Sequence, residues 1–231
     1  MCGRFLSTAS AASIAELFEA EEPEVDLGLN YNVAPTHEVY AVLERPDHVR
    51  VVRNFRWGLI PVWAKDASIG SRLINARGET VGDKPAFRQS FRNKRCIVPM
   101  SGFYEWKHST NSSGAGHAGK AVKQPVLIDR VDGSLLAVAG LWSAWADPSG
   151  EEQVWRHSCT VLTTSANATM APVHDRMPVI LEREHWAHWL DADEHDVEEL
   201  SSLLVPAGEG VLRMREVSPE VNSVRNRGPF T

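Results

Sequence analysis

Six short runs of β-branched and aromatic residues, each bounded by Gly, Pro or Asp, constrain this chain more than any other feature. They are Val39 to Leu43, Val49 to Phe55, Cys96 to Pro99, Val126 to Asp129, Leu135 to Trp142 and Val154 to Leu162. Runs of this length and composition read as strands. Helical periodicity is confined to the two ends. In residues 10–22, Ile14, Leu17 and Phe18 fall on one face before Pro23; Arg183 to Leu190 and Glu194 to Leu204 repeat the pattern, the latter with Val197, Leu200, Leu203 and Leu204 in one stripe. Strict alternation of strand and helix is absent, so the expected class is α+β, an antiparallel or mixed β core flanked by helices. Between two strand-like segments, His108 to Lys123 is rich in Ser, Gly and Ala without apolar periodicity. It is expected to be a long flexible hairpin loop rather than a linker.

Size and charge narrow the function classes. A chain of 231 residues suits one large domain or two small ones and buries roughly 70% of its unfolded surface, so disulfide staples are unnecessary. No apolar run approaches the ~20 residues that cross a bilayer, and no membrane partner is expected. The first residues lack a basic flank followed by ~7–15 apolar positions, so no secretory signal is read and a cytoplasmic location is expected. Cys2, Cys96 and Cys159 lack metal-ligand spacing; reduced thiols, no metal and no cofactor are expected. The net charge of −6 argues against coating nucleic acid with the whole surface. Locally, Arg56 to Lys107 carries ten Lys and Arg against four Asp and Glu, whereas Glu182 to Glu220 carries eleven acids against three bases. Only the first segment can hold an anion.

Four clusters could do chemistry. Initiator methionine is commonly trimmed before a small residue, which would make Cys2 the N-terminus. An N-terminal cysteine carries an α-amine of pKa ~7.7–8.0 beside a thiol near ~8.5, so both nucleophiles are partly available at neutral pH. The amine condenses with an aldehyde to an imine, and the thiol closes on the imine carbon to give a five-membered thiazolidine. Equally, Cys2 could be a small hydrophobe near a terminus. Glu105 lies in Gly102-Phe103-Tyr104-Glu105-Trp106; desolvation between aromatics would fit it for general acid or base work, whereas on an alternating strand it would face solvent. His174 stands between Val173 and Asp175, with Arg176 beyond. One histidine among nine is as readily a structural residue. Asn75 and Arg77 suit anion binding, and exposed Trp suits base stacking, although Asn75 could serve only as a turn residue and most Trp should be core.

These clusters, in this order, resemble the SOS-response-associated peptidase (SRAP) family of abasic-site shielding proteins. The resemblance rests on MCGRF at the start, YNVAP at Tyr31 to Pro35, WGLIPVW at Trp57 to Trp63, NARGET at Asn75 to Thr80 and RCIVPMSGFYEW at Arg95 to Trp106. It continues through TTSAN at Thr163 to Asn167, HDRMP at His174 to Pro178 and VSPEVN around Ser218. It implies one α+β domain over residues 1–231 around a strongly bent, mainly antiparallel, barrel-like β core. The implied partner is single-stranded DNA containing abasic sites, and a monomer that becomes nucleoid-associated on DNA is expected. Carried over residue by residue, Cys2 with Met1 removed would crosslink to the lesion as a thiazolidine. Asn75 would orient it, Glu105 would transfer protons and His174 would assist at the imine and the sugar hydroxyl. Arg4, Arg77 and Arg176 would grip phosphates. Trp63 and Trp106 would wall the bases beside the lesion, with Pro35, Trp57 and Thr163 as further lining.

Two other classes stay open. A thiol peptidase, in the limit one that only removes its own leader, would use Cys2 as nucleophile and His174 as base, and would need the thiolate but not the amine. A non-catalytic single-strand binder would draw all its affinity from Trp and Arg and would ignore the lesion.

Overall fold

The computed structural model describes residues 2–108, 123–148 and 153–230. In chain order its elements are β1 (Phe5–Ser7), α1 (Ala11–Phe18), β2 (Asn30–Val33), β3 (Glu38–Glu44), β4 (Arg50–Trp57), β5 (Asn75–Arg77), α2 (Arg88–Asn93), β6 (Arg95–Met100) and β7 (Gly102–His108). There follow β8 (Lys123–Arg130), β9 (Leu136–Asp147), β10 (Val154–Ser165), β11 (Arg176–Pro178), α3 (Arg183–Leu190), α4 (Val197–Ser202) and β12 (Leu212–Glu216).

Five strands close into a barrel in the order β10-β4-β3-β6-β9, with β9 pairing back onto β10. All contacts in the ring are antiparallel except β10 with β4, which is parallel and spans only Ser158↔Arg56 and Cys159↔Trp57. Alternation along each strand sends one set of side chains inward: Val39 and Ala41 of β3, Val51 and Phe55 of β4, Cys96 and Val98 of β6, and Cys159 and Val161 of β10. The other set, including Tyr40, Val42, Ile97, Ala139 and Leu162, packs outward under α1, α2, α3 and α4. Both faces are therefore buried, which is why these strands read as almost continuous apolar runs. Gly140 of β9 keeps the interior passable: a Cβ there would stand 3.0 Å from Thr160 O and 3.1 Å from Cys96 Sγ. A second sheet, β12-β8-β7-β1-β2, lies against the barrel and shares its core through Phe5, Phe103, Val126 and Ile128.

The helix expected over residues 10–22 is shorter. Ser10 Oγ accepts from Ser13 N–H at 3.1 Å to start α1, a cap worth ~1 kcal/mol. It ends at Phe18, with Glu19 at φ 53°. The chain is pulled away because Glu21 N–H donates to Arg50 O and Glu21 O accepts from Val52 N–H, each at 2.9 Å. Of the expected loop from His108 to Lys123, the two end residues close the β7–β8 register, and residues 109–122 lie outside the described residues. Among the described residues no helix is long and apolar enough to cross a membrane.

Candidate functional site

The C-terminal half of β10 gathers two short strands. β5 runs parallel to it through Val161↔Asn75, Leu162↔Ala76 and Thr163↔Arg77. β11 runs antiparallel through Thr163↔Pro178, Thr164↔Met177 and Ser165↔Arg176. Three residues are too few to hold a strand alone, so both owe their shape to β10. From β5 the Asn75 amide reaches the N-terminal segment, its Nδ2 donating to Cys2 O at 2.8 Å. Its Oδ1 is buried without a hydrogen-bond partner among the described residues, an orphan acceptor that ordinarily costs about 1–3 kcal/mol.

Cys2 is 1% exposed and packs in the same core as Phe5, Trp57 and Phe103. Burial first, then the charge of Glu105, push its thiol well above the ordinary range, while the Arg4 N–H pulls weakly the other way. Glu105 is itself buried, so the solvent-facing alternative is overturned. Its sequence neighbours are not what buries it. Strand alternation sends Tyr104 and Trp106 to the opposite face, into a cluster with Leu127, Val217 and Phe230, whereas Glu105 sits opposite Val126 on the face of Phe103.

His174 precedes β11. Its Nδ1 lies 2.9 Å from the Arg176 amide nitrogen and 2.8 Å from Asp175 Oδ1. An amide N–H can only donate, so in the neutral ring Nδ1 accepts and the proton resides on Nε2; a charged ring would turn its Nδ1–H to Asp175. Arg176 is a clamp. Its guanidinium meets both oxygens of Glu79, at 2.5 and 2.8 Å, and Nη2 donates to Thr163 O at 2.6 Å. Arg77 is exposed on β5.

A third group forms across β1 and β7. Arg4 Nη1 donates to Asn32 Oδ1 at 2.7 Å and to Val221 O at 2.9 Å. Its guanidinium stands 6.0 Å from the Trp106 ring centroid, and Trp106 Nε1 donates to Asn222 Oδ1 at 2.7 Å. Asn32 and Asn222 escape notice in the sequence beyond their places in YNVAP and VSPEVN, because nothing in composition marks an amide as a clamp.

The expected lining is only partly available. Trp57 is fully buried, its indole N–H donating to Ile74 O at 2.9 Å and its ring edge-on to Phe5. Thr163 is also fully buried, its hydroxyl donating to Ala76 O. Neither has a face to offer a base, and both are corrected to core residues. Pro35 is half-buried beside Thr36, which sits at φ 76°. Trp63 is exposed, but it groups with Pro85, Ala86 and Lys94 rather than with the residues above. Glu44, His48 and Asp191 place possible ligand atoms within 4.8 Å of one another. Glu44 Oε1 already lies 3.2 Å from His48 Nδ1, with Arg50 beside Glu44, so the group reads as a polar network.

The structure thus brings Cys2, Asn75 and Glu105 together, sets Arg77 and Arg176 at the end of β10, and pairs Arg4 with Trp106. Known proteins share this chain throughout. A family model described as SOS response associated peptidase (SRAP) matches residues 1–224. The abasic site processing protein YoqW of Bacillus subtilis (strain 168) is 38% identical over 231 residues, covering 99% of this chain and 97% of that protein. The abasic site processing protein HMCES of Xenopus tropicalis is 34% identical over 192 residues, 78% of this chain and 56% of that one. A crystal structure of a protein from Bacteroides thetaiotaomicron superposes with a TM-score of 0.81 at 26% identity, covering 99% of this chain and 100% of the other. With the barrel, the ordered motifs and full-length relatives in agreement, this chain belongs to the SOS response associated peptidase (SRAP) family.

Proposed function

We propose that this protein processes abasic sites in single-stranded DNA by covalent capture: with Met1 removed, Cys2 closes on the ring-opened aldehyde as a thiazolidine. The observation that carries the reading is the Asn75 amide, whose Nδ2 holds Cys2 O at 2.8 Å while its buried Oδ1 has no partner among the described residues. That spare acceptor suits a neighbouring N–H, and the α-amine of Cys2 is the donor the chemistry calls for.

The amine adds to C1′, and loss of water gives the imine. Sγ then bonds to C1′, the thiol proton is passed to the former imine nitrogen, and the ring of S, Cβ, Cα, N and C1′ is complete. Glu105, buried beside the thiol, is the group that moves protons in dehydration and closure. His174 offers its Nε2–H to the sugar oxygen. Ring closure removes the imine before β-elimination can cut the strand, so capture shields the lesion. Arg4 and Arg77 hold backbone phosphates, and Trp106, kept in place by Asn222, walls a base.

The peptidase alternative has less support. It needs a thiolate, and burial together with Glu105 pushes the Cys2 thiol the wrong way. Amine-first capture needs only the neutral thiol until the imine stands beside it. Intact-mass measurement of the protein mixed with abasic single-stranded DNA tests the proposal. A denaturation-resistant adduct is expected with wild type and not with Cys2→Ala; an equal yield from Cys2→Ala would end the reading.

A further inference from the structure

Arg4 is fixed by neutral partners. Besides Asn32 Oδ1 and Val221 O, its Nη2 donates to Asn222 O at 3.5 Å, so none of these contacts cancels its charge. Asn32, fully buried, gives its own Nδ2 to the carbonyls of Val221, Ser223 and Asn226 at 3.2, 3.0 and 2.9 Å. That clamp orders the C-terminal segment at one end. At the other, the buried Phe230 ring meets Tyr104 edge-on, with centroids 6.2 Å apart, and Phe230 O accepts from Ser218 N–H at 3.0 Å. Arg227 is therefore an exposed cation held between two anchors.

It borders a surface cavity of about 270 Å³ with Ser7, Asn30, Val33, His37 and one acid, Glu38. His37 is locked in place: its carbonyl accepts from Trp57 N–H at 2.9 Å, and its Nδ1 accepts from Ala34 N–H at 3.3 Å, leaving the ring proton on Nε2. After burial, the charges of Arg227 and Arg4 both act on this ring and hold its pKa below the ordinary value. Cations crowded in the free protein repel one another, and an anion seated among them relieves that repulsion.

We infer that His37 and Arg227, adjoining Arg4, form a further phosphate subsite that takes a backbone phosphodiester of the bound single strand. The inference rests on the single-strand reading above and extends it to a residue past position 224, where the family match ends. Arg227 supplies a fork of N–H donors and His37 supplies Nε2–H.

The test is fluorescence anisotropy with an intact, lesion-free single-stranded oligonucleotide over a salt series, together with adduct yield at saturating abasic strand. Arg227→Ala is expected to weaken intact-strand binding about three- to tenfold and to lower the slope of log affinity against log salt by about 0.7, the share of one phosphate on a single strand. Arg227→Lys should keep the slope. Adduct yield at saturation should not change, and because Arg227 is exposed, thermal melting should match wild type. An unchanged slope and affinity in Arg227→Ala, with wild type binding normally, overturns the subsite and leaves the capture reading standing. A wild type that shows no salt-dependent binding of the intact strand overturns both.

Discussion

Cys2 and Cys159 are both free and both fully buried, and burial raises both thiols, that of Cys159 to about 12. One is proposed to react and the other is packing. The difference lies in what stands around them. Cys159 faces the barrel interior with Cys96, whose thiol is raised by burial and by Cys159 itself, and apolar surroundings of that kind leave a thiol inert. Cys2 sits where the barrel core meets the second sheet, with an amide on its carbonyl and a carboxylate acting on its sulfur. Burial alone therefore does not separate a reactive cysteine from a structural one; polar groups brought in from distant strands do.

The largest effect that would break this contrast is expected from Cys2→Ser. The amine survives but the sulfur does not, so the stable adduct should vanish while a borohydride-trapped imine persists on a denaturing gel; Cys159→Ala should retain the stable adduct. Glu105→Gln should slow capture by about 100-fold, the scale of a general acid or base. Removing that negative charge should at the same time speed alkylation of Cys2 by iodoacetamide, because Glu105 is one of the causes that raise its thiol. Slower capture with slower alkylation would point instead to a collapsed site.

In the barrel the prediction concerns stability. Gly140→Ala presses a methyl toward Thr160 O, Cys96 Sγ and the Val98 side chain at 3.0 to 3.2 Å, and should cost about 1–3 kcal/mol in denaturant unfolding, with capture by the folded fraction unchanged. The smallest effect is at the edge of the site. Arg176 holds the Glu79 carboxyl below its ordinary pKa of 4.5. The depressed value means the pair stabilises the fold above that pH and loses its contribution as pH falls through the folded value. Glu79 is half exposed, so Glu79→Gln should cost under about 1 kcal/mol at neutral pH, and the gap from wild type should close in acid.

Much of the fold was legible because local pattern and final environment agree. The six apolar runs are the cores of β3, β4, β6, β8, β9 and β10, and the Arg183 to Leu190 pattern is α3 to the residue. The elements that escaped include β2, β12 and the helix α2, which lies mid-chain where no helix was expected, and the shortest strands, which have no pattern of their own. β1, β5 and β11 have three residues each, and each is a strand only because a longer neighbour supplies its hydrogen bonds. The Glu105 environment shows a subtler failure: adjacent aromatics suggested an apolar pocket, but on a strand adjacent residues face apart.

The sequence by itself determined the class, the buried runs, the helix near the C-terminus and, through ordered motifs, the family, since these depend on side-chain chemistry repeated at short range. Tertiary structure alone decided that the β core closes through one parallel pairing, that Trp57 and Thr163 are interior, and that Asn75 meets Cys2 across 73 residues of chain. It alone placed Arg227 beside His37. Such contacts join residues far apart along the chain, and their geometry is set by packing of the whole sheet rather than by any local preference.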